Sequence, residues 1–228
     1  MATISANLQA VRQRIAACAR GAGRDPEGIT LIAVSKSWPA SAVREAAAGG
    51  QRTFGESYVQ EALGKMDELA DLALEWHFVG PVQSNKTRPL AERFEWVHSV
   101  DRLKIAQRLS AARPAGRAPL NVCVQVNLGG EASKGGLDAR SAGALAREIG
   151  ALPRLRLRGL MAIPEPTGDP PRQRARFREL RLLRDQLNAG GMELDTLSMG
   201  MSDDLEAAIQ EGATVVRIGT AIFGARRR

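Results

Sequence analysis

The feature that most limits the possible folds is a regular alternation. Short, nearly continuous apolar runs are each followed by a longer stretch with helical amphipathicity. The first run, residues 29–34, is apolar throughout except for Thr30, as expected of a strand buried on both faces. Further strands are expected at 52–55, 75–79, 96–100, 120–127, 155–163, 196–199 and 214–218. Helices are expected at 39–48, 57–72, 84–93, 101–112, 138–149, 171–189 and 202–211, with a short tail after Thr220. One more helix, over 5–20, puts Leu8, Val11, Ile15 and Ala19 on one face. Strand and helix in alternation imply right-handed crossovers and a parallel sheet. Eight such units in a chain of this length imply a closed barrel, with the N-terminal helix standing where the eighth outer helix would go. The rival is an open doubly wound sheet, but no G-x-G-x-x-G follows the first strand. The expected fold is therefore α/β: a single (β/α)8 TIM barrel with an extra N-terminal helix, one domain over residues 1–228.

Composition removes several function classes. The net charge is +7, but the basic residues are spread along the chain apart from Arg226, Arg227 and Arg228. Aromatic residues make up only 4% and do not interleave with the basic ones, so nucleic acid is not an expected partner. No apolar run approaches the roughly 18 residues that a membrane span needs. Residues 1–20 carry Arg12 and Arg14 and lack the apolar core and cleavage site of a signal peptide, so a cytoplasmic location is expected. Cys18 and Cys123 read as two buried reduced thiols. His77 and His98 stand far apart in the chain and form no metal-ligand cluster, so no metal is expected.

Active sites in such barrels lie at the C-terminal ends of the strands. The first strand ends at Lys36, in a chain where only five of 32 basic residues are lysines. Ile32, Val34 and Lys36 share one strand face. If that face points inward, burial lowers the amine pKa and frees it to attack an aldehyde; otherwise the lysine snorkels to solvent. The loops after the last two strands, where barrels often bind phosphate, offer Ser198, Met199 and Gly200, then Gly219 and Thr220. Ser202 is the expected N-cap of the helix that follows. Arg217 lies inside an apolar strand and needs an acceptor. Either a bound pyridine nitrogen or a strand-end acid such as Glu56 would serve. His77, Lys86 and Lys134 are read as structural or surface residues.

At this point the motifs carry a resemblance. Residues 33–36 (AVSK), 54–56 (FGE), 58–61 (YVQE), 75–80 (EWHFVG) and 83–86 (QSNK) all resemble the pyridoxal phosphate homeostasis protein family. So do 131–135 (EASKG), 159–164 (GLMAIP), 198–203 (SMGMSD) and 216–224 (VRIGTAIFG), in order along nearly the whole chain. The resemblance implies the barrel of the alanine racemase N-terminal domain and pyridoxal 5′-phosphate (PLP) held as an internal imine on Lys36. Arg217 would face the ring nitrogen. Ser198, Gly219 and Thr220 would hold the phosphate, with backbone contacts from Met199 and Gly200. It also implies a carrier or regulator of PLP, serving PLP-dependent apo-enzymes, rather than a robust catalyst, and a monomer is expected. Two positions depart from the family pattern: Ser57 replaces the usual Asn, and Trp38 replaces a small or basic residue.

Two other functions fit parts of the pattern. A PLP-dependent amino-acid racemase needs a second base, which the racemase sharing this barrel takes from an additional β-domain. This chain ends four residues after Gly224 and has a single tyrosine, Tyr58, so a racemase is not expected. An aldolase using Lys36 without a cofactor would need a phosphorylated sugar.

Overall fold

The computed structural model describes residues 3–128 and 135–225. Eight parallel strands close into a barrel in sequence order. They are β1 (Thr30–Val34), β2 (Thr53–Glu56), β3 (Glu75–Phe78), β4 (Trp96–Val100), β5 (Leu120–Val126), β6 (Leu155–Ala162), β7 (Thr196–Ser198) and β8 (Val215–Ile218). The helices are α1 (Ile4–Gly21), α2 (Ala40–Ala48), α3 (Val59–Glu68), α4 (Thr87–Arg93), α5 (Leu103–Ala112), α6 (Ala139–Gly150), α7 (Pro170–Ala189), α8 (Leu205–Gln210) and α9 (Thr220–Phe223). Lys134, the stretch 129–134 and the terminal arginines lie outside the described residues.

The expected α1 is present, and its apolar stripe is the one read from the sequence. The Thr3 hydroxyl caps it by accepting from the Ala6 N–H, and Leu8, Val11, Ile15 and Ala19 are buried. It packs beside α2, α8 and α9, across the seam where β1 pairs with β8. Asn7 Nδ2 donates to the Ile222 carbonyl at 2.9 Å, and Arg24 donates to the carbonyls of Ile209 and Ala213 at 2.7 Å.

Two apolar layers stabilise the barrel. The outer one, between strands and helices, contains Phe54, Phe78, Phe94 and Phe177, all essentially inaccessible. Each such side chain contributes about 1.5–3 kcal/mol. The layer inside the barrel is small, a cluster of Trp96, Cys123 and Met161. Ile32 and Val34 of β1 also face the interior, and beside them it is polar, with His77, His98, Ser198 and Arg217 all buried. Barrel interiors of this kind are ordinarily filled by branched aliphatics, so these polar groups depend on partners within the barrel.

Several boundaries differ from the sequence reading. The tail expected after Thr220 forms the helical turn α9. The helix expected from Ser202 starts only at Leu205, with Asp204 at its N-cap position; the Asp204 carboxylate makes no cap bond and instead accepts from the preceding Met201 N–H at 2.6 Å. Residues 201–203 are thereby left as a loop above the barrel. Helix α3 begins at Val59 rather than Ser57, because the Ser57 backbone crosses directly over Gly80, where any Cβ would collide with it.

Candidate functional site

A cavity of about 210 Å³ opens at the C-terminal end of the barrel. Its polar lining comprises Lys36, Ser57, Ser202, Asp203, Arg217 and Thr220, with Gly219 beside them. Alternation along β1 turns Ile32 and Val34 inward, and Lys36 continues that face to the cavity wall. A larger cavity of about 630 Å³ lies between the β6–α7 loop and α8, sharing Met201 and Asp203 with the first. It has no lysine, and only the smaller one combines an amine, a guanidinium and hydroxyls.

The turn carrying Lys36 is clamped from outside the barrel. Ser37 adopts a left-handed conformation (φ +66°), which costs a non-glycine residue of the order of 1 kcal/mol. Lys65 on α3 holds this turn from both sides. Its ammonium donates to the Ser35 carbonyl at 2.7 Å, Glu56 Oε1 at 2.6 Å and Glu61 Oε1 at 2.5 Å. Glu61 Oε1 in turn accepts from the Ser37 N–H at 2.6 Å, and the Ser35 hydroxyl donates to Glu56 at 2.6 Å. Burial pushes the Glu56 carboxyl above its ordinary value, and the Lys65 ammonium and Ser35 hydroxyl pull it back. Sequence reasoning missed Lys65; an i,i+4 Glu–Lys pair facing a strand-end acid was the available signal.

Arg217 faces the interior just below the mouth. It donates to the Ser198 hydroxyl at 2.8 Å and to the Ala162 carbonyl at 2.9 Å. Glu56, the acid the sequence offered as a partner, instead binds Lys65. Burial depresses the guanidinium to about 10. Below Arg217 the two histidines, expected to stand apart, are in contact: His77 Nδ1 lies 2.9 Å from His98 Nε2. His98 Nδ1 reaches Ser198 Oγ at 2.9 Å, and His77 Nε2 reaches Glu75 Oε1 at 3.1 Å.

Burial holds both imidazoles below their ordinary pKa, His98 well below it. The unfolded chain takes up protons as pH falls through about 6.5 while the native state does not, so acid destabilises the fold. Each histidine contributes a slope of about 1.4 kcal/mol per pH unit below that point, until its native pKa is reached. Urea unfolding between pH 7 and 5 should therefore be less pH-dependent in His98→Gln than in the parent protein. Equal slopes would contradict this assignment.

The remaining expected site residues divide. Lys36, Arg217, Gly219 and Thr220 meet at one cavity. Ser198, Met199 and Gly200 do not line it. The Ser198 hydroxyl is engaged by Arg217 and His98 below, Met199 packs in the outer core, and the Gly200 carbonyl accepts from the Arg217 N–H. Met201 and Ser202, freed by the late start of α8, line it instead. Lys86 lies in a 3-10 turn and does not line the cavity. Of the two departures from the family pattern, Ser57 lines the cavity, and Trp38 stacks on Phe223 of α9 at 5.9 Å. Cys123 is buried, its thiol pushed up to about 12, whereas Cys18 is only partly buried. No cluster of three or more metal-ligating side chains occurs among the described residues.

Residues 6–227 match the family model for the alanine racemase N-terminal domain. Among curated proteins, the pyridoxal phosphate homeostasis protein of Pseudomonas aeruginosa is 66% identical over 99% of this chain and 97% of its own length. The protein of the same name from Escherichia coli K12 is 53% identical over 99% and 98%. The chain belongs to the pyridoxal phosphate homeostasis protein family. A solved structure from this family's fold group, PipY of Synechococcus elongatus with PLP bound, superposes with a TM-score of 0.85. It is 40% identical, with 97% of this chain and all of that one covered. The family's barrel is thus the fold described above, and no helix among the described residues is long and apolar enough to cross a membrane.

Proposed function

We propose that this chain is a PLP carrier or regulator that holds its ligand through Lys36. What carries the reading is the convergence, at one mouth, of a lysine amine, a buried guanidinium and two hydroxyls beside a glycine. These groups suit an aldehyde, a ring nitrogen and a phosphate respectively. The PLP in the PipY structure supports the same reading.

The residues take the following parts. The Lys36 amine would hold the aldehyde carbon covalently, its nitrogen replacing the carbonyl oxygen, which leaves as water. Ser202 and Thr220 donate hydroxyl protons to the phosphate, with Gly219 keeping that wall open; Ser202 takes over from Ser198, whose hydroxyl is already engaged. Arg217 donates to the ring nitrogen. When bound, the cofactor supplies a reactive aldehyde and a ring able to accept electrons. A guanidinium facing that nitrogen disfavours its protonation, which weakens the ring as an electron sink. The site therefore suits retention and delivery to apo-enzymes better than catalysis, from a single-domain cytoplasmic monomer.

The test is a titration of the purified protein with PLP, followed by borohydride reduction and peptide mapping. A visible absorption band that maps to Lys36 is the expected result. The double variant Ser202→Ala/Thr220→Val should still form the band, with affinity lower by about a hundredfold, as expected for two lost hydrogen bonds to a charged group. Unchanged affinity in that variant would remove these hydroxyls from the phosphate site.

A further inference from the structure

The polar line through the barrel can have only one direction. Glu75 opens β3 at the opposite end of the barrel from Lys36, with its side chain 43% exposed. As a carboxylate it only accepts hydrogen bonds, so His77 Nε2 must carry the proton. A neutral His77 then has an accepting Nδ1, which requires His98 Nε2 to donate. His98 Nδ1 in turn must accept, so the Ser198 hydroxyl donates to it. The oxygen of Ser198 remains free to accept from Arg217, which has only donors. The acceptor-only carboxylate of Glu75 thus fixes every tautomer in the line, whereas the donor-only Arg217 ends on a hydroxyl oxygen that can accept twice and is compatible with either direction. Burial keeps both imidazoles neutral, so the line has no cationic member before Arg217. Trp96 stacks on both rings, at 5.4 Å from each, and holds their planes.

We propose that Glu75, acting through His77, His98 and Ser198, is a positioning residue that fixes how Arg217 presents its donors to the ring nitrogen of a bound pyridine ligand. The proposal rests on the PLP reading above. Glu75 stands on the far side of the barrel from the cavity and does not line it, so its influence passes through the line of hydrogen bonds. A glutamine at that position offers both a carbonyl and an amide, and either direction of the line becomes satisfiable. Loss of the Ser198 hydroxyl breaks the link next to the guanidinium.

The protein has only two histidines, so their ring nitrogens are directly assignable by 15N NMR of the ligand-free chain. Both rings should be neutral Nε2–H tautomers, and Glu75→Gln should redistribute the protons. In the PLP-loaded protein, Glu75→Gln should move the visible band. Ser198→Ala should move it and lower affinity about tenfold, with Ser198→Thr restoring both. An Nδ1–H tautomer at His98 in the parent protein would overturn the direction of the line. A band that stays in place in both Glu75→Gln and Ser198→Ala would overturn the proposal while leaving PLP binding intact. Absence of any band in the parent protein would remove the PLP reading itself, and the proposal with it, while the tautomers would still be read.

Discussion

Lys36→Ala is expected to abolish the borohydride-fixable PLP adduct and to lower affinity by about two orders of magnitude, or some 3 kcal/mol. Among the described residues the other lysines cannot substitute. Lys65 lies behind the strands with all three of its donors taken by Ser35, Glu56 and Glu61. Lys86 is set in a turn that does not reach the cavity, and Lys104 is exposed on α5. On the proposed assignment Ser202, Thr220 and Arg217 still hold phosphate and ring in the variant, so weak, dialysable binding should persist. The measurement is absorption and mass of the reduced protein. An adduct of full occupancy in Lys36→Ala would show that the amine is supplied elsewhere.

The second large effect concerns stability. Lys65→Met is expected to destabilise the fold by about 3–5 kcal/mol, because it leaves the carboxylate of Glu56 buried without its counter-charge. The Glu56 side chain is fully inaccessible, and its Oε2 already lacks a hydrogen-bond partner. At this chain length the loss corresponds to a fall in melting temperature of about 10 °C. Adding Glu56→Gln to Lys65→Met should recover much of the loss, since the uncompensated charge is then gone. A single-variant loss below about 1 kcal/mol would mean that solvent reaches the pair. The clamp also bears on the ligand. With the Ser35–Ser37 turn released, Lys36 samples more directions, and adduct formation should slow even at temperatures where the variant stays folded.

Both effects depend on parts of the molecule that were unequally legible in the sequence. Most of the eight strands were legible because they are short apolar runs with turn residues on either side; β2 (Thr53–Glu56) is not, and was placed by its position in the alternation. Lys36 and Arg217 were legible because strand alternation decides which residues share a face. Ser198 satisfies the same alternation, but its hydroxyl is consumed by two partners from other strands, and no local pattern reveals that. The start of α8 misled because Ser202, Asp203 and Asp204 all have capping chemistry, yet the helix begins after Asp204, whose carboxylate goes to the Met201 N–H and not to the helix. The histidine pair was missed for a geometric reason. His77 and His98 are 21 residues apart, one strand–helix repeat, and so fall on adjacent strands. Ser35 and Glu56 have the same spacing and meet in the same way. Distance along a chain of this periodicity says little about distance in space.

The bond from Asn7 to Ile222 joins residues 215 positions apart, one on α1 and the other on α9. The turn that supplies Thr220 to the cavity therefore leans on a helix that never meets the ligand. That helix acts as a latch over the barrel's closing seam. Whatever unfastens it, at the surface and far from any chemistry, also loosens the turn that carries Thr220.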